Sequence, residues 1–385
     1  MKISVLIYSL DGGGAERVVA QLVSFLSENG IDVCIVMMND TVVYEIPKSI
    51  PIYYLEKSNP KESGFLKFFK LPYLGFKYKS FLKQQKIEIS VSFLSRPNYI
   101  NLLSKWYGSG VRTFISERSN PTAQYSGSSF HSKINSFLIH KLFVKADGII
   151  ANSAGNGNEL FNNFAIPQHL ITTIHNPIDL DTIQNTLAIK DFYDTNYYNF
   201  ISVGRLNEGK NHELLIRSLL QVANKKIRLY IFGDGPLQGF LLRLIVDLKL
   251  ENQVFLNGFS KDIFSYLKGA DAFLFGSNHE GFPNVLIEAM ASELPIITTN
   301  CPSGPSEIMQ VSSSEQFEKR VRTAYGILVP VGNRLEMSEA IDEIVSDKDY
   351  NRLCKKNVLI RSRDFRNDCI LGQYLDYITQ GNSNP

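Results

Sequence analysis

Arg205 and Lys210 stand five positions apart across a turn that contains Gly209, so two cations can project from one loop. A guanidinium offers a forked hydrogen-bonded contact and an ammonium a point charge, a combination suited to a diphosphate. Each charge pair is worth about 4 kcal/mol at ~4 Å and an effective dielectric of ~20, before desolvation. The plain alternative is a solvated helix start. A second group lies at Glu280-Gly281-Phe282-Pro283-Asn284-Val285-Leu286-Ile287-Glu288. Pro283 suits a first helical turn, so the N–H groups of Gly281 to Val285, Phe282 and Asn284 among them, favour a negative ligand, and Gly281 lets it come close. Glu288, one turn inside that helix, is placed to accept from vicinal hydroxyls such as those of a ribose. Glu280, just ahead of it, is placed to accept from sugar hydroxyls. Acids that merely complement the helix dipole are the bland reading.

Such residues belong on strand-to-helix loops, because open α/β sheets bind ligands outside the carboxyl ends of their strands. The chain supplies them twice. Ile3, Val5 and Ile7 sit in an apolar run, Gly12-Gly13-Gly14 turns into an amphipathic helix over Ala15 to Asn29, and Ile31 to Met38 returns as a strand. Further strands are expected at Ile87 to Leu94, Thr113 to Ser116 and Gly148 to Asn152. A second series begins near Phe200, with strands at Phe200 to Val203, Arg228 to Phe232, Val254 to Asn257, Ala272 to Phe275 and Ile296 to Thr298. Helices are expected over His212 to Ala223, Ile263 to Leu267 and from about Asn284. The alternation implies two parallel sheets flanked by helices. Pro177, within His175-Asn176-Pro177-Ile178-Asp179, marks the link. Pro302 to Val329, with Ser312-Ser313-Ser314, reads as a surface insertion.

Composition agrees with two units. A chain of 385 residues, 44% hydrophobic and 20% charged, is too long for one core and excludes disordered or fibrous classes. A net charge of +2 provides no global field for nucleic acid. Cys34, Cys301, Cys354 and Cys369 lie far apart without a metal-ligand or disulfide pattern, so reduced thiols and a cytosolic site are expected, with no metal. No run of about 18 apolar residues occurs, which leaves surface attachment to a membrane open. The start imitates a short secretion signal, but Asp11 and the glycines stop it, and a first strand explains it better. A dinucleotide fingerprint fails at its third glycine, where Arg17 stands, so a nicotinamide-dependent oxidoreductase is disfavoured.

From Phe65 to Lys86 six lysines, Lys67, Lys70, Lys77, Lys79, Lys83 and Lys86, alternate with seven bulky aromatics and no acid. That mixture suits an anionic bilayer face, at about 1 kcal/mol per cation, or a lipid-linked diphosphate. A helix packing its aromatics on the sheet is the structural alternative.

Gly204-Arg205 with Lys210, Gly233-Asp234-Gly235-Pro236, Ala270-Asp271, and Glu280 seven residues before Glu288-Ala289-Met290-Ala291 together resemble the C-terminal half of GT4-type (group 1) retaining glycosyltransferases. Gly12-Gly13-Gly14-Ala15-Glu16-Arg17 and His175-Asn176-Pro177 extend the resemblance over most of the chain. It implies the GT-B fold, two Rossmann-like, doubly wound parallel-sheet domains facing across a cleft: an acceptor-binding domain over 1–176, a donor-binding domain over 177–365, and a C-terminal helix in 366–385 that packs back on the first.

The resemblance further implies that Arg205 and Lys210 hold the donor diphosphate, that Glu288 binds the ribose, and that Glu280 lies by the donor sugar. The nucleotide sugar is then a substrate, and no cofactor is needed. No D-x-D pair follows an apolar strand, consistent with metal-independent transfer in which the departing phosphate oxygen takes the acceptor proton. Related enzymes often carry a histidine after the strand matching Thr113 to Ser116; this chain has Ser116-Glu117-Arg118. Arg118 stays protonated and cannot be a base, so a phosphate contact is expected of it, with Glu117 near the acceptor hydroxyl. Gly13 and Gly14 are expected near the donor phosphate or the acceptor.

The expected activity is transfer of a sugar from a nucleoside diphosphate, UDP by preference, to a glycan acceptor. A polyprenyl-diphosphate-linked or cell-surface polysaccharide precursor fits, handled in the cytoplasm at the inner face of the plasma membrane. A non-catalytic binding module and a nucleotide-sugar epimerase are the alternatives.

Overall fold

The first strand, β1 (Lys2–Ile7), is buried along nearly its whole length, as a run that is apolar from Ile3 to Ile7 apart from Ser4 requires. In the computed structural model, which describes residues 1–59, 62–122, 130–312 and 317–380, the chain forms two units. The N-terminal unit comprises residues 1–177 and the chain from 367 onward; the C-terminal unit comprises residues 178–366.

In the N-terminal unit β1 is followed by α1 (Gly14–Glu28), β2 (Asp32–Met37), β3 (Ile52–Tyr54), α2 (Gly64–Phe69), α3 (Leu71–Gln84), β4 (Ile89–Phe93), α4 (Ser95–Trp106), β5 (Arg112–Glu117), β6 (Gly148–Ala151) and β7 (Ile171–Thr173). The seven strands lie in the order β3-β2-β1-β4-β5-β6-β7, every pairing parallel. The chain moves outward from β1 to β3 and then returns to the other side of β1, so the switch point lies between β1 and β4. The helix Asn367–Gln380 completes this unit. Its Tyr374 stacks on Phe93 at 6.3 Å between centroids, and Tyr377 meets Phe114 edge-on at 5.4 Å.

The C-terminal unit holds β8 (Tyr198–Val203), β9 (Ile227–Phe232), β10 (Val254–Gly258), β11 (Ala272–Phe275), β12 (Ile296–Thr299), β13 (Val321–Thr323) and β14 (Gly326–Val329), in the order β10-β9-β8-β11-β12-β14-β13. All pairs are parallel except β13 with β14. Its switch point lies between β8 and β11, and apolar clusters cover both faces of the sheet.

Three local expectations change. The helix from His212 ends at Ser218 rather than Ala223, because Leu219, Leu220 and Gln221 each donate to a carbonyl three residues back and tighten the chain into turns. Pro302 to Val329 is more than a surface insertion. It contains a short helix (Pro305–Ile308) and the β13–β14 hairpin, whose β14 is fully buried against β12. Ser313 and Ser314 of that stretch fall outside the described residues. Pro283 stands one residue before the helix Asn284–Ala291 rather than inside its first turn.

Candidate functional site

The loops at the carboxyl ends of β8 and β11 meet at the switch point of the C-terminal unit. Behind β8, Gly204 N–H donates to the Phe232 carbonyl at 3.0 Å, and Leu206 N–H donates to the Asp234 carbonyl at 2.9 Å. The turn Gly233-Asp234-Gly235 thus lies backbone against backbone on the segment that carries Arg205. Gly233 has φ +145°, and a methyl group there would overlap the Gly204 carbonyl. This glycine is what lets the two loops touch.

Asn207 Oδ1 accepts from Lys210 N–H at 3.0 Å, and Asn211, left-handed at φ 46°, caps the following helix. Side chains and backbone then tie this loop to the β11 loop. Asn211 donates to Asn278 Oδ1 at 2.9 Å, Asn278 N–H donates to the Gly209 carbonyl at 2.8 Å, and the Asn278 side chain donates to the Glu208 carbonyl at 3.0 Å.

That clamp sets the central contact. Lys210 Nζ lies 2.5 Å from Glu280 Oε1 and 5.3 Å from the centre of the Phe275 ring, while buried Ser277 donates to the same carboxylate oxygen at 2.6 Å. Arg205, from the same loop, is exposed and makes no ion pair among the described residues. Beyond Glu280, no side chain among the described residues caps the helix Asn284–Ala291 through a hydrogen bond from the N-cap, Pro283. Gly281, Phe282 and Asn284 lie at that end, and Glu288 sits buried one turn inside. The structure therefore gathers Lys210, Glu280 and the helix start at one sheet edge, with Arg205 on the shared loop. Sequence reading missed Ser277 and the asparagine clamp; a serine two residues past a buried strand end was the available signal.

His212 opens the helix behind Lys210. It is 3% exposed, its Nδ1 finds no hydrogen-bond partner among the described residues, and burial, with Lys210 as a second cause, lowers its pKa to about 4. The imidazole is neutral at pH 7. Its folded pKa lies below the ordinary value, so the unfolded chain takes up a proton first and stability falls as pH drops from about 6.5 toward 4, by ~3 kcal/mol at most. A His212→Gln variant is expected to flatten that part of the curve, read as urea midpoints near neutral pH and near pH 4.

In the N-terminal unit the corresponding edge carries Gly12 to Gly14 behind β1. Tyr44 Oη donates to the Gly13 carbonyl at 2.9 Å, and the Glu16 carboxyl, its pKa raised mainly by burial, lies over Gly13. Across the switch point, Leu94 leaves β4 at φ 73°, ψ 155°, a conformation that residues other than glycine avoid, at a cost on the order of 1–3 kcal/mol, and so turns Ser95 and Arg96 into α4.

Glu117, the last residue of β5, and Arg118 just behind it are both buried. Glu117 Oε1 accepts from Arg118 N–H, Ser119 N–H and Ser119 Oγ. Its Oε2 has no hydrogen-bond partner among the described residues, and burial raises the carboxyl pKa. The Arg118 guanidinium donates to Tyr374 Oη at 2.7 Å and to Asn176 Oδ1, and sits 5.8 Å from the Phe93 ring. It is thereby engaged with the helix Asn367–Gln380 and with Asn176, and its charge is felt by Glu16 at the Gly12–Gly14 edge.

The stretch Phe65 to Lys86 forms α2 and α3. Its aromatics divide: Tyr78 is fully buried with its hydroxyl between Ser4 at 2.9 Å and Ser90 at 2.7 Å, whereas Phe65, Phe69, Tyr73 and Phe76 are each 58–65% exposed. Phe65 and Phe69 lie one turn apart on α2 with ring centroids 4.5 Å apart, Tyr73 and Phe76 lie one turn apart on α3, and together they make an exposed aromatic ridge. Its lysines are partly engaged, Lys70 with Glu62 and Glu56 and Lys77 with the Leu55 carbonyl. Among the described residues no helix is long and apolar enough to cross a membrane.

Two family models match this chain: Glycosyltransferase Family 4 over residues 12–182 and Glycosyl transferases group 1 over residues 186–359. The N-acetylgalactosamine-N,N'-diacetylbacillosaminyl-diphospho-undecaprenol 4-alpha-N-acetylgalactosaminyltransferase of Campylobacter jejuni is 37% identical across 98% of this chain and 99% of its own length. The amylovoran biosynthesis glycosyltransferase AmsD of Erwinia amylovora is 26% identical over 80% of this chain and 84% of its own. Among solved structures, Anabaena Alr3699/HepE in complex with UDP superimposes with a TM-score of 0.77 at 18% identity, covering 99% of this chain and all of the other.

Proposed function

Because the chain belongs to the family 4, group 1 glycosyltransferases, we propose that it moves N-acetylgalactosamine from its UDP conjugate to a saccharide carried on a polyprenyl diphosphate, with retention at the anomeric carbon and without a metal ion. The observation that carries this reading is the 37% identity, along nearly the whole of both chains, with an enzyme named for N-acetylgalactosaminyl transfer to a diphospho-undecaprenol-linked acceptor. The UDP complex of the structural neighbour supports the nucleotide.

In this reading the C-terminal unit binds the donor. Arg205, Lys210 and the amino end of the helix Asn284–Ala291 carry the charge that develops on departing UDP. Lys210 is held by Glu280 beforehand, so an arriving diphosphate takes over the ammonium and leaves the Glu280 carboxylate for hydroxyls of the donor sugar. Glu288 accepts from the ribose. The bond from the anomeric carbon to the diphosphate breaks as the acceptor oxygen bonds to that carbon from the same face, and the acceptor proton passes to the leaving phosphate oxygen. No protein nucleophile is used.

The test pairs UDP-N-acetylgalactosamine with a synthetic polyprenyl-diphosphate disaccharide and assigns the product anomer by NMR. An α-linked product with stoichiometric UDP release supports the reading. A β-linked product, or turnover only with GDP-sugars, overturns it.

The N-terminal unit meets the anionic membrane surface through α2 and α3. The ridge, more than the lysines, supplies the contact, since Lys70 and Lys77 already have partners. Replacing Phe65, Phe69, Tyr73 and Phe76 together by Ser is expected to weaken binding to phosphatidylglycerol vesicles at least about tenfold, measured by co-sedimentation. Unchanged sedimentation would reject the ridge.

A further inference from the structure

We propose that the N-terminal unit has a built site for the lipid end of such an acceptor: the cavity among α2, α3, α4 and the helix Phe130–Leu142 takes the first isoprenoid units, and Arg96 with Lys67 takes the diphosphate. This rests on the acceptor class argued above and adds where on the chain it is held.

The cavity measures 480 Å³, within the range of about 300–1,000 Å³ usual for small-molecule sites. Phe68, Leu71, Ile134 and Leu138 make its wall apolar. Tyr99, also on the wall, has its hydroxyl 3.1 Å from Asn135 Oδ1, so these polar groups answer each other and ask nothing of a ligand. A sugar placed against this apolar wall would lose its hydration without replacement, whereas a hydrocarbon chain has none to lose.

The charged residues of its lining are Lys67 and Arg96. Arg96 follows strained Leu94 at the β1–β4 switch point, where a doubly wound sheet receives its ligand. Its three guanidinium nitrogens are buried, and none has a hydrogen-bond acceptor in good geometry among the described residues. Its charge partner is Glu56 at 2.6 Å, which also lies 3.9 Å from Lys70; Lys70 in turn is bonded to Glu62. With Lys67 on the cavity wall, three cations face two carboxylates, and phosphate oxygens would supply the acceptors that Arg96 lacks.

Phe65 decides the occupant. It lines the cavity and is also 60% exposed on the ridge, so the apolar wall continues into the surface read above as facing lipid. A chain anchored in the bilayer, with its anionic end outermost, meets both features in the right order. Free nucleotides have no such chain, and phospholipids keep their charge in the headgroup layer.

Farnesyl diphosphate is a soluble probe of this chemistry, titrated calorimetrically into the full chain with saturating UDP to occupy the donor site. It is expected to bind at least about tenfold more tightly than inorganic diphosphate, farnesol or dihexanoyl phosphatidic acid. Leu138→Trp and Ile134→Trp, which fill the cavity, should each weaken it about tenfold or more, and Arg96→Gln should remove most of its advantage over farnesol. Protection of each variant by UDP against thermal unfolding reports that it is folded and that the donor site is intact. Farnesyl diphosphate binding no better than inorganic diphosphate or the phosphatidate, or equally well to wild type and a UDP-protected cavity-filled variant, would overturn the site. Loss of UDP-sugar protection in the wild type would instead count against the activity proposed above, because the farnesyl titration is read without turnover.

Discussion

Lys210→Ala is expected to lose a factor of about 10²–10³ in kcat/KM, the loss typical when one preorganised donor to a developing anion is removed. The loss should lie mostly in kcat, since charge on the leaving diphosphate grows as the glycosidic bond breaks. The resting ion pair sharpens the experiment. Because Lys210 is held at 2.5 Å by Glu280, part of the donor's binding free energy goes into replacing that contact. Glu280→Gln, which weakens the competing pair, is therefore expected to bind UDP more tightly than wild type while turning over more slowly. Calorimetry with UDP and initial rates with the UDP-sugar separate the two effects. If Lys210→Ala stays within about threefold of wild type, the cation does not bear on the leaving group.

Gly233→Ala should both destabilise the protein and damage donor binding. At φ +145° its methyl group would overlap the Gly204 carbonyl, so the turn at 233–235 must part from the loop that carries Arg205. A loss of about 3 kcal/mol or more is expected, a fall in Tm on the order of 10 °C. Gly326→Ala is the matched control. Its φ is +139° and its methyl would overlap the Ile296 carbonyl, but it lies where β14 begins, at the edge of the sheet opposite the donor loops. Comparable thermal loss is expected there with UDP affinity unchanged below the transition. Should Gly233→Ala melt like wild type and bind UDP normally, the close packing of the two loops would be refuted.

How far residue patterns reach can be judged element by element. Buried parallel strands such as β11, apolar throughout, and β1, apolar from Ile3 to Ile7 apart from Ser4, could be read directly. β3 and β7 are three residues long and only partly buried, with too little pattern to see. The charged residues of the donor site were visible as types and spacings, but the Lys210–Glu280 pair joins positions 70 residues apart and depends on β8 and β11 being neighbours, a tertiary fact. Arg118 is a stronger case: its partner Tyr374 is 256 residues away, and no local pattern joins them. The Phe65–Lys86 stretch was recognised by composition, yet composition could not say that Tyr78 turns inward while Tyr73 turns outward. Arg96 carried no signal at all beyond being a cation after a strand.

The helix Asn367–Gln380 has a consequence for biosynthesis. Tyr374, Tyr377 and Ile378 fill the core of a unit whose other residues were translated almost two hundred positions earlier. The first sheet therefore waits, with that face unsealed, until the ribosome has delivered the whole second unit and the helix Asn367–Gln380 after it. The half made first is the half finished last.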